Sequence, residues 1–294
     1  MSDIKYDLLI IGAGVSGSAL LYLGTKYSDI SHIGVVEKYA APARVNSLSS
    51  NNSQTLHCGD IETNYTLEKA LKVQRAARML RNYAVAQADA HHIIFKYPKM
   101  VLGVGKAECE LLRERFEIFS PHYPMLKLLD KKAIARIEVN VAMNGDSFRD
   151  DEIVALGSTD EYTAVNFEAL SRSFVRQAQL EAEKAVDKTV DIHYNEFVEH
   201  ITIEGDEFIV ETQGICYRTR SLVACAGGHS LKLAHDMGYG HHYSVLPIAG
   251  SYYFTPHVLN GKVYTVQNDA LRFAASHGDP DVRVPGETRF GPGS

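Results

Sequence analysis

Three glycines near the N-terminus, Gly12, Gly14 and Gly17, stand at a spacing suited to binding a pyrophosphate. They follow the apolar run Asp7-Leu-Leu-Ile-Ile-Gly12 and open a helix-compatible segment, Ala13-Gly14-Val15-Ser16-Gly17. Gly12 is expected to make the tight turn out of a buried strand, and Gly14 to let backbone N–H groups approach a phosphate. Gly17 would let the helix pack closely on that strand, with the helix N-terminus facing the negative charge. A second apolar run, His32-Ile-Gly-Val-Val-Glu37, ends in an acid about 20 residues after the last glycine, where a ribose hydroxyl finds its acceptor. Glycine spacing alone is a weak signal; strand, turn, helix, strand and acid in this order predict an adenine dinucleotide site.

A second stretch of the same character is Ser221-Leu-Val-Ala-Cys-Ala226-Gly227-Gly228-His229. An apolar strand ending in small residues permits close approach of backbone to a ligand. Between the two lies Asn46-Ser-Leu-Ser-Ser-Asn-Asn-Ser-Gln-Thr-Leu-His57-Cys-Gly-Asp60, too rich in Ser and Asn to be core. It reads either as a solvated loop or as a loop crossing the dinucleotide. The adjacent pairs His91-His92 and His241-His242 do not predict a metal site. Neighbours in sequence do not face one another on a helix or strand, and no partner ligand stands at a suitable spacing.

The elements that must position these residues belong to a chain of 294 residues, 45% hydrophobic, long enough for a large core and one or two domains. A net charge of −6 without a basic tract argues against nucleic acid as a partner. Cys58, Cys109, Cys216 and Cys225 lack metal or redox spacing and suit reduced thiols in a cytoplasm-like compartment. No apolar run approaches the ~20 residues of a membrane-spanning helix. The N-terminal apolar run is the glycine-rich unit itself, so no signal peptide is expected.

Strand 6–11, helix 15–27 and strand 33–37 form a first βαβ unit. Residues 66–92 carry a long amphipathic period, 96–105 read as a strand, and 106–119 as a second amphipathic helix. Asp130 is placed to N-cap a following helix. Asn166 opens helix 167–185, and strand 190–194 follows. Residues 201–203, 208–212 and 216–219 form a small meander leading into the second glycine strand. The tyrosines of Ser251-Tyr-Tyr-Phe254 are expected to pack on an alternating strand. Two nucleotide-facing strands joined by a meander, with a helical insertion after Glu37, favour a flavoprotein over a nicotinamide dehydrogenase.

The dinucleotide turn, the loop ending in His57, the Val165-Asn-Phe helix start and the Ala-Gly-Gly strand together resemble an FAD enzyme of the D-amino-acid-oxidase superfamily. Within it the chain is most similar to the malate:quinone oxidoreductase family. The residues that carry this are Asn51-Asn52-Ser53-Gln-Thr-Leu-His57 with Asn64-Tyr-Thr, Phe273-Ala-Ala-Ser-His277-Gly-Asp-Pro-Asp281, and Thr288-Arg289-Phe-Gly-Pro292. The resemblance covers essentially the whole chain, although many members have serine at the position of Gly17. It implies an α/β fold, with a Rossmann-like FAD-binding domain of the D-amino-acid-oxidase type and an interleaved α+β substrate domain. Residues 1–70 and 161–245 would form the FAD domain, 71–160 a helical insertion, and 246–294 an incomplete substrate domain. Family members continue beyond Arg-Phe-Gly-Pro, so a C-terminally truncated, N-terminal fragment is the expectation.

The resemblance further implies FAD-dependent oxidation of (S)-malate to oxaloacetate, with electrons passed to a quinone at the cytoplasmic face of the inner membrane, where the protein would be peripheral. His57 and His277 are then candidate bases, since histidine accepts a proton near neutral pH, and Arg289 is the candidate carboxylate clamp. Candidate cofactor contacts are Gly12, Ala13, Gly14, Val15, Ser16 and Gly17, then Glu37, Lys38, Asn51, Asn52 and Ser53, and finally Phe197, Val198, Ala226, Gly227 and Gly228. Two other readings are a sibling flavoenzyme acting on another 2-hydroxy acid (such as 2-hydroxyglutarate) or an amino acid, and a non-enzymatic FAD-binding fragment. No motif specifies an oligomeric state.

Overall fold

The computed structural model describes residues 3–267 and 275–293, so Phe273 and Ala274 of the motif leading to His277 lie outside the described residues. The chain divides into two units, Met1–Asn52 with Phe167–Ile248, and Ser53–Asn166 with Ala249–Ser294. The boundaries expected at 70 and 160 therefore shift to 52 and 166. Hydrogen bonding is the reason: Leu56 N–H donates to the Thr163 carbonyl at 3.0 Å, and Val165 N–H to the Gln54 carbonyl at 2.9 Å. Those bonds tie residues 54–56 and 163–165 into the same unit.

In the first unit a six-stranded sheet runs Thr189–Tyr194, His32–Glu37, Asp3–Ile11, Cys216–Ala224, Glu207–Glu211, His200–Glu204. The first four strands are mutually parallel, and the last two return antiparallel as the meander. Parallel strands are covered on both faces, which is why Leu9 and Ile10 are both fully buried in an unbroken apolar run. The final glycine strand is one element, Cys216–Ala224, where the sequence suggested two. Its first half pairs with Glu207–Glu211 while nearly its whole length pairs with Asp3–Ile11, so the polar residues between do not interrupt it. Helices Val15–Tyr27 and Phe167–Lys184 pack together, with the Tyr22 and Phe174 rings 5.7 Å apart.

The second unit is built on a seven-stranded sheet ordered Ser251–Pro256, Glu287–Gly293, His277–Pro280, Lys262–Thr265, Lys99–Val104, Ile153–Ser158, Lys127–Leu129. Side chains alternate across it with period two. Val263 and Phe290 pack on one face with Met100, Leu102, Ile134, Ala155 and Leu259. Lys99, Lys262, His277, Asp279 and Arg289 share the other face through the pairings Lys262↔Lys99, Tyr264↔His277 and Asp279↔Arg289. The long helix ends at Val85 and a short one, Ala90–Ile93, follows, because the Ala86 N–H turns back to the Tyr83 carbonyl and tightens the last turn. Asp130 does cap Lys131–Ile137, accepting the Ala133 N–H at 2.7 Å. Tyr253 and Phe254 are exposed rather than packed, since their strand is at the sheet edge with one neighbour among the described residues. No helix among the described residues is long and apolar enough to cross a membrane.

Candidate functional site

The first unit holds a cavity of about 830 Å³, at the upper end of the ~300–1,000 Å³ typical of small-molecule sites. Three parallel strands end at its floor. Gly12 N–H donates to the Val36 carbonyl at 2.8 Å and Cys225 N–H to the Ile11 carbonyl at 2.7 Å, which draws both glycine turns to one place. Gly12 adopts φ +100°, and a Cβ there would stand 2.7 Å from the Cys225 carbonyl oxygen. A Cβ on Gly17 would stand 1.9 Å from the Gly12 carbonyl oxygen, so this glycine seats helix on strand and does not line the cavity. Gly14 and Gly228 differ: a Cβ would meet nothing closer than 3.5 Å at the first and nothing within 4 Å at the second. Their missing side chains leave room on the cavity side.

Gly14 and Gly228 are also the N-cap residues of helices Val15–Tyr27 and His229–Asp236, and neither supplies a side-chain cap. Two helix N-termini thus open on one cavity, which favours an anion with two phosphates. Lys38, Arg44 and Lys232 add positive charge to the walls. Glu37 is buried beneath this turn. Its two carboxylate oxygens accept the Ala13 N–H at 2.7 Å and the Tyr39 N–H at 3.0 Å, and unused lone pairs remain for a ribose hydroxyl. The donors and shape fit an adenine dinucleotide. Glu37→Ala removes a charged acceptor for those two N–H groups and should weaken dinucleotide binding by about 1.5–3 kcal/mol, measured as a rise in the dissociation constant.

Among the sequence candidates, Gly12, Gly14, Val15, Ser16, Glu37, Lys38, Phe197, Val198, Ala226, Gly227 and Gly228 line this cavity. Ala13 is buried behind it, held by Glu37. Asn51, Asn52 and Ser53 do not line it. Asn51 donates to the Val45 carbonyl at 3.1 Å, and Asn52 donates to the carbonyls of Asn46 and Leu48 at 3.0 and 2.8 Å, so both amides fold their own loop. Ser53 belongs to the second unit, and its carbonyl accepts from Arg289 at 3.0 Å. The loop residues that do reach the cavity are Asn46 and Ser47, and the Ser47 Oγ accepts the Val15 N–H at 2.9 Å. Ser47, Arg44 and Lys232 were not singled out from the sequence. A serine in a polar run has nothing in its spacing to distinguish it from its neighbours.

The second unit concentrates buried charge on the polar face of its sheet. Lys262 Nζ lies 2.9 Å from Asp279 Oδ1 and donates to Thr55 Oγ1 at 3.1 Å, with both charged side chains fully buried. His277 stacks on Tyr264 at 4.6 Å, and its Nε2 lies 3.1 Å from Asp279 Oδ2, out of line for a hydrogen bond. Its Nδ1 faces the Ala275 carbonyl at 3.3 Å. Burial pushes the Asp279 carboxyl up, but Lys262 and His277 outweigh it and hold the group down to about 2. Burial pulls the Lys262 ammonium down, against the attraction of Asp279. Arg289 is buried beside Asp281 at 3.8 Å and over the Tyr252 ring at 5.5 Å. Residues 53–62 cross this face, with Gln54 in the left-handed region at φ +54° and bonded to Asp281 at 3.2 Å. Asp60 meets Lys99 at 2.7 Å.

His277 and Arg289 therefore share one cluster on adjacent strands. His57 has a separate setting: its ring is half-exposed, and Nδ1 lies 2.8 Å from Glu62 Oε1. No group of three His, Cys, Asp or Glu among the described residues is arranged to hold a metal ion.

The family model for malate:quinone oxidoreductase matches residues 4–290. A probable malate:quinone oxidoreductase of Campylobacter jejuni is 44% identical over 298 residues, covering 99% of this chain and 65% of its own length. The chain thus spans a little under two thirds of that relative. Among solved structures, glycine oxidase from Bacillus cereus matches with a TM-score of 0.71 at 17% identity, over 98% of this chain and 70% of that one. L-α-glycerophosphate oxidase from Mycoplasma pneumoniae, with FAD bound, matches with a TM-score of 0.66 at 19% identity, over 100% and 72%. These two share the fold of this chain.

Proposed function

This chain belongs to the malate:quinone oxidoreductase family, and from that premise we propose that it binds FAD and serves the oxidation of (S)-malate to oxaloacetate, with a membrane quinone as electron acceptor. The observation that carries the cofactor is the cavity onto which two helix N-termini open, with Glu37 beneath the turn between them. Gly12, Gly14, Val15, Ser16, Ser47, Gly227 and Gly228 hold the pyrophosphate, and Glu37 takes the ribose. When bound, the flavin supplies the two-electron redox chemistry.

The protein's own residues hold the substrate and move its proton. Malate carries two carboxylates, and burying either without a partner is very costly. Arg289, with its planar fork, is the carboxylate anchor, supported by Lys262 on the same sheet face. His57 is the proton acceptor. His277 has a protein oxygen facing each of its ring nitrogens, whereas His57 engages Nδ1 alone and leaves Nε2 for the substrate hydroxyl. A quinone acceptor is dissolved in the bilayer, so the protein works peripherally on the cytoplasmic face of the inner membrane. Malate oxidation there feeds the tricarboxylic acid cycle.

The test is direct. The purified full chain should show a flavin absorption spectrum that bleaches on addition of malate and recovers with a quinone analogue. Bleaching with 2-hydroxyglutarate or an amino acid in place of malate would move the assignment to a sibling flavoenzyme. Bound flavin that no such substrate reduces would leave a cofactor-binding unit only. Arg289→Lys keeps the charge but loses the fork, so KM for malate should rise by more than kcat falls. Unchanged malate kinetics would place the clamp elsewhere.

A further inference from the structure

Glu62 was not among the sequence candidates, yet its carboxylate is spent in an unusual way. Its side chain is 13% exposed while that of its partner His57 is 48% exposed. One oxygen, Oε1, lies 2.8 Å from His57 Nδ1. The other, Oε2, is buried without a hydrogen-bond partner among the described residues. A buried polar atom left unmatched costs more than an ion pair with a half-exposed partner returns. The pair therefore does not repay its cost in stability.

The segment that carries the pair is held rigid. The Arg115 guanidinium donates to the carbonyls of Glu62 at 2.7 Å, Tyr65 at 3.1 Å and Asp60 at 3.5 Å. Its plane stacks 3.7 Å from the Phe119 ring. Lys99 ties down the neighbouring Asp60 side chain at 2.7 Å, and Gly59 turns the chain at φ +90°. Burial pushes the Glu62 carboxyl up, but the hydrogen bond from His57, with Lys99 behind, outweighs it and holds the group below its ordinary value. A fixed carboxylate on one nitrogen of a half-exposed histidine, whose other nitrogen has no hydrogen-bond partner among the described residues, is the arrangement that orients a general base.

We propose that Glu62 is the positioning residue for His57: it accepts the Nδ1–H, selects that tautomer, and leaves the Nε2 lone pair to take the hydroxyl proton of a 2-hydroxy acid. The O–H bond breaks, its proton moves to Nε2, and the positive charge that forms on the ring is balanced by Glu62. This inference rests on the proposed reading of His57 as the proton acceptor. Glu62 touches no reacting atom; it acts through the ring.

Two readouts test it on the full flavin-loaded chain. In ¹⁵N spectra of labelled histidine, wild-type His57 should show protonated Nδ1 and bare Nε2. Glu62→Gln should shift that signature toward the tautomer mixture of a free histidine. In rapid-mixing experiments with malate, Glu62→Gln should slow flavin bleaching about 10²-fold with little change in KM, the scale of general base catalysis. The double variant Glu62→Gln, His57→Asn should be no slower than His57→Asn alone, since residues acting as a unit are not additive. Glu62→Asp, which keeps the charge but withdraws it from Nδ1, should behave as Glu62→Gln does and serves where Glu62→Gln does not fold. An unchanged tautomer, or additive losses, would overturn the proposal. A wild-type chain that holds FAD but is not reduced by malate would instead overturn the functional reading, and the tautomer measurement would still decide the role of Glu62.

Discussion

Gly12→Ala should leave the protein with almost no flavin. The residue sits at φ +100°, where an L side chain is strained, and its Cβ would stand 2.7 Å from the Cys225 carbonyl oxygen. That oxygen belongs to the strand end from which Ala226 and Gly227 continue, so it has little freedom to retreat. Strain of this kind costs about 1–3 kcal/mol, and the overlap with fixed backbone adds a comparable amount. Relief comes by moving the turn, and moving the turn takes the Gly14 and Gly228 ends out of register. Flavin content should therefore fall at least about 10²-fold in affinity, each factor of ten being about 1.4 kcal/mol. Absorbance at the flavin band per mole of purified protein measures it directly. Stoichiometric flavin in this variant would show that the cofactor does not depend on the turn.

The second large effect lies in the other unit. Asp279→Ala leaves the Lys262 ammonium fully buried with no carboxylate opposite, and breaking a buried pair from one side typically costs about 3–5 kcal/mol. Replacing both partners by apolar residues of similar volume, Asp279→Leu with Lys262→Met, should recover much of that loss, because no charge is then stranded. The dependence on pH has a definite sign. The Asp279 carboxyl is held down to about 2 in the fold, below the ~3.9 of a free aspartate, so the stability it contributes is complete above about pH 4. It is lost as pH falls through the folded value. The gap in urea-unfolding free energy between wild type and Asp279→Ala should be widest at neutral pH and shrink toward pH 2. A gap that stayed constant over this range would mean that the fold does not hold the Asp279 carboxyl below the value of a free aspartate.

Both effects turn on how distant segments meet, and this is where legibility in the sequence differs between the two units. The dinucleotide turn was readable because every part of it is local. An unbroken apolar run, three glycines and an acid after the next strand lie within Asp7 to Glu37, and the local chain geometry alone demands them. Asp130 as a helix cap was readable for the same reason, since a cap bonds an N–H three residues on. The loop from Asn46 to Asp60 was not. Its composition announces a loop, but nothing in it says that Ser47 meets the helix N-terminus while Asn51 and Asn52 bond their own backbone, or that the segment changes unit after Asn52.

By itself the sequence determined the nucleotide half of this protein: the two glycine strands, the buried acid and the class of ligand they accept. The polar motifs around His277 and Arg289 also marked two strands that carry buried charge onto one sheet face. Tertiary structure alone decided who partners whom there. Lys99 and Lys262 become neighbours only because their strands pair in parallel, and His277, Asp279 and Arg289 share a face only because the register between their strands is what it is. A one-residue slip would send that set of side chains to the apolar side. The physical reason is range. Turns, caps and buried strands are specified by interactions among residues close along the chain, whereas a buried charge takes its partner from whatever strand or loop the sheet brings opposite it.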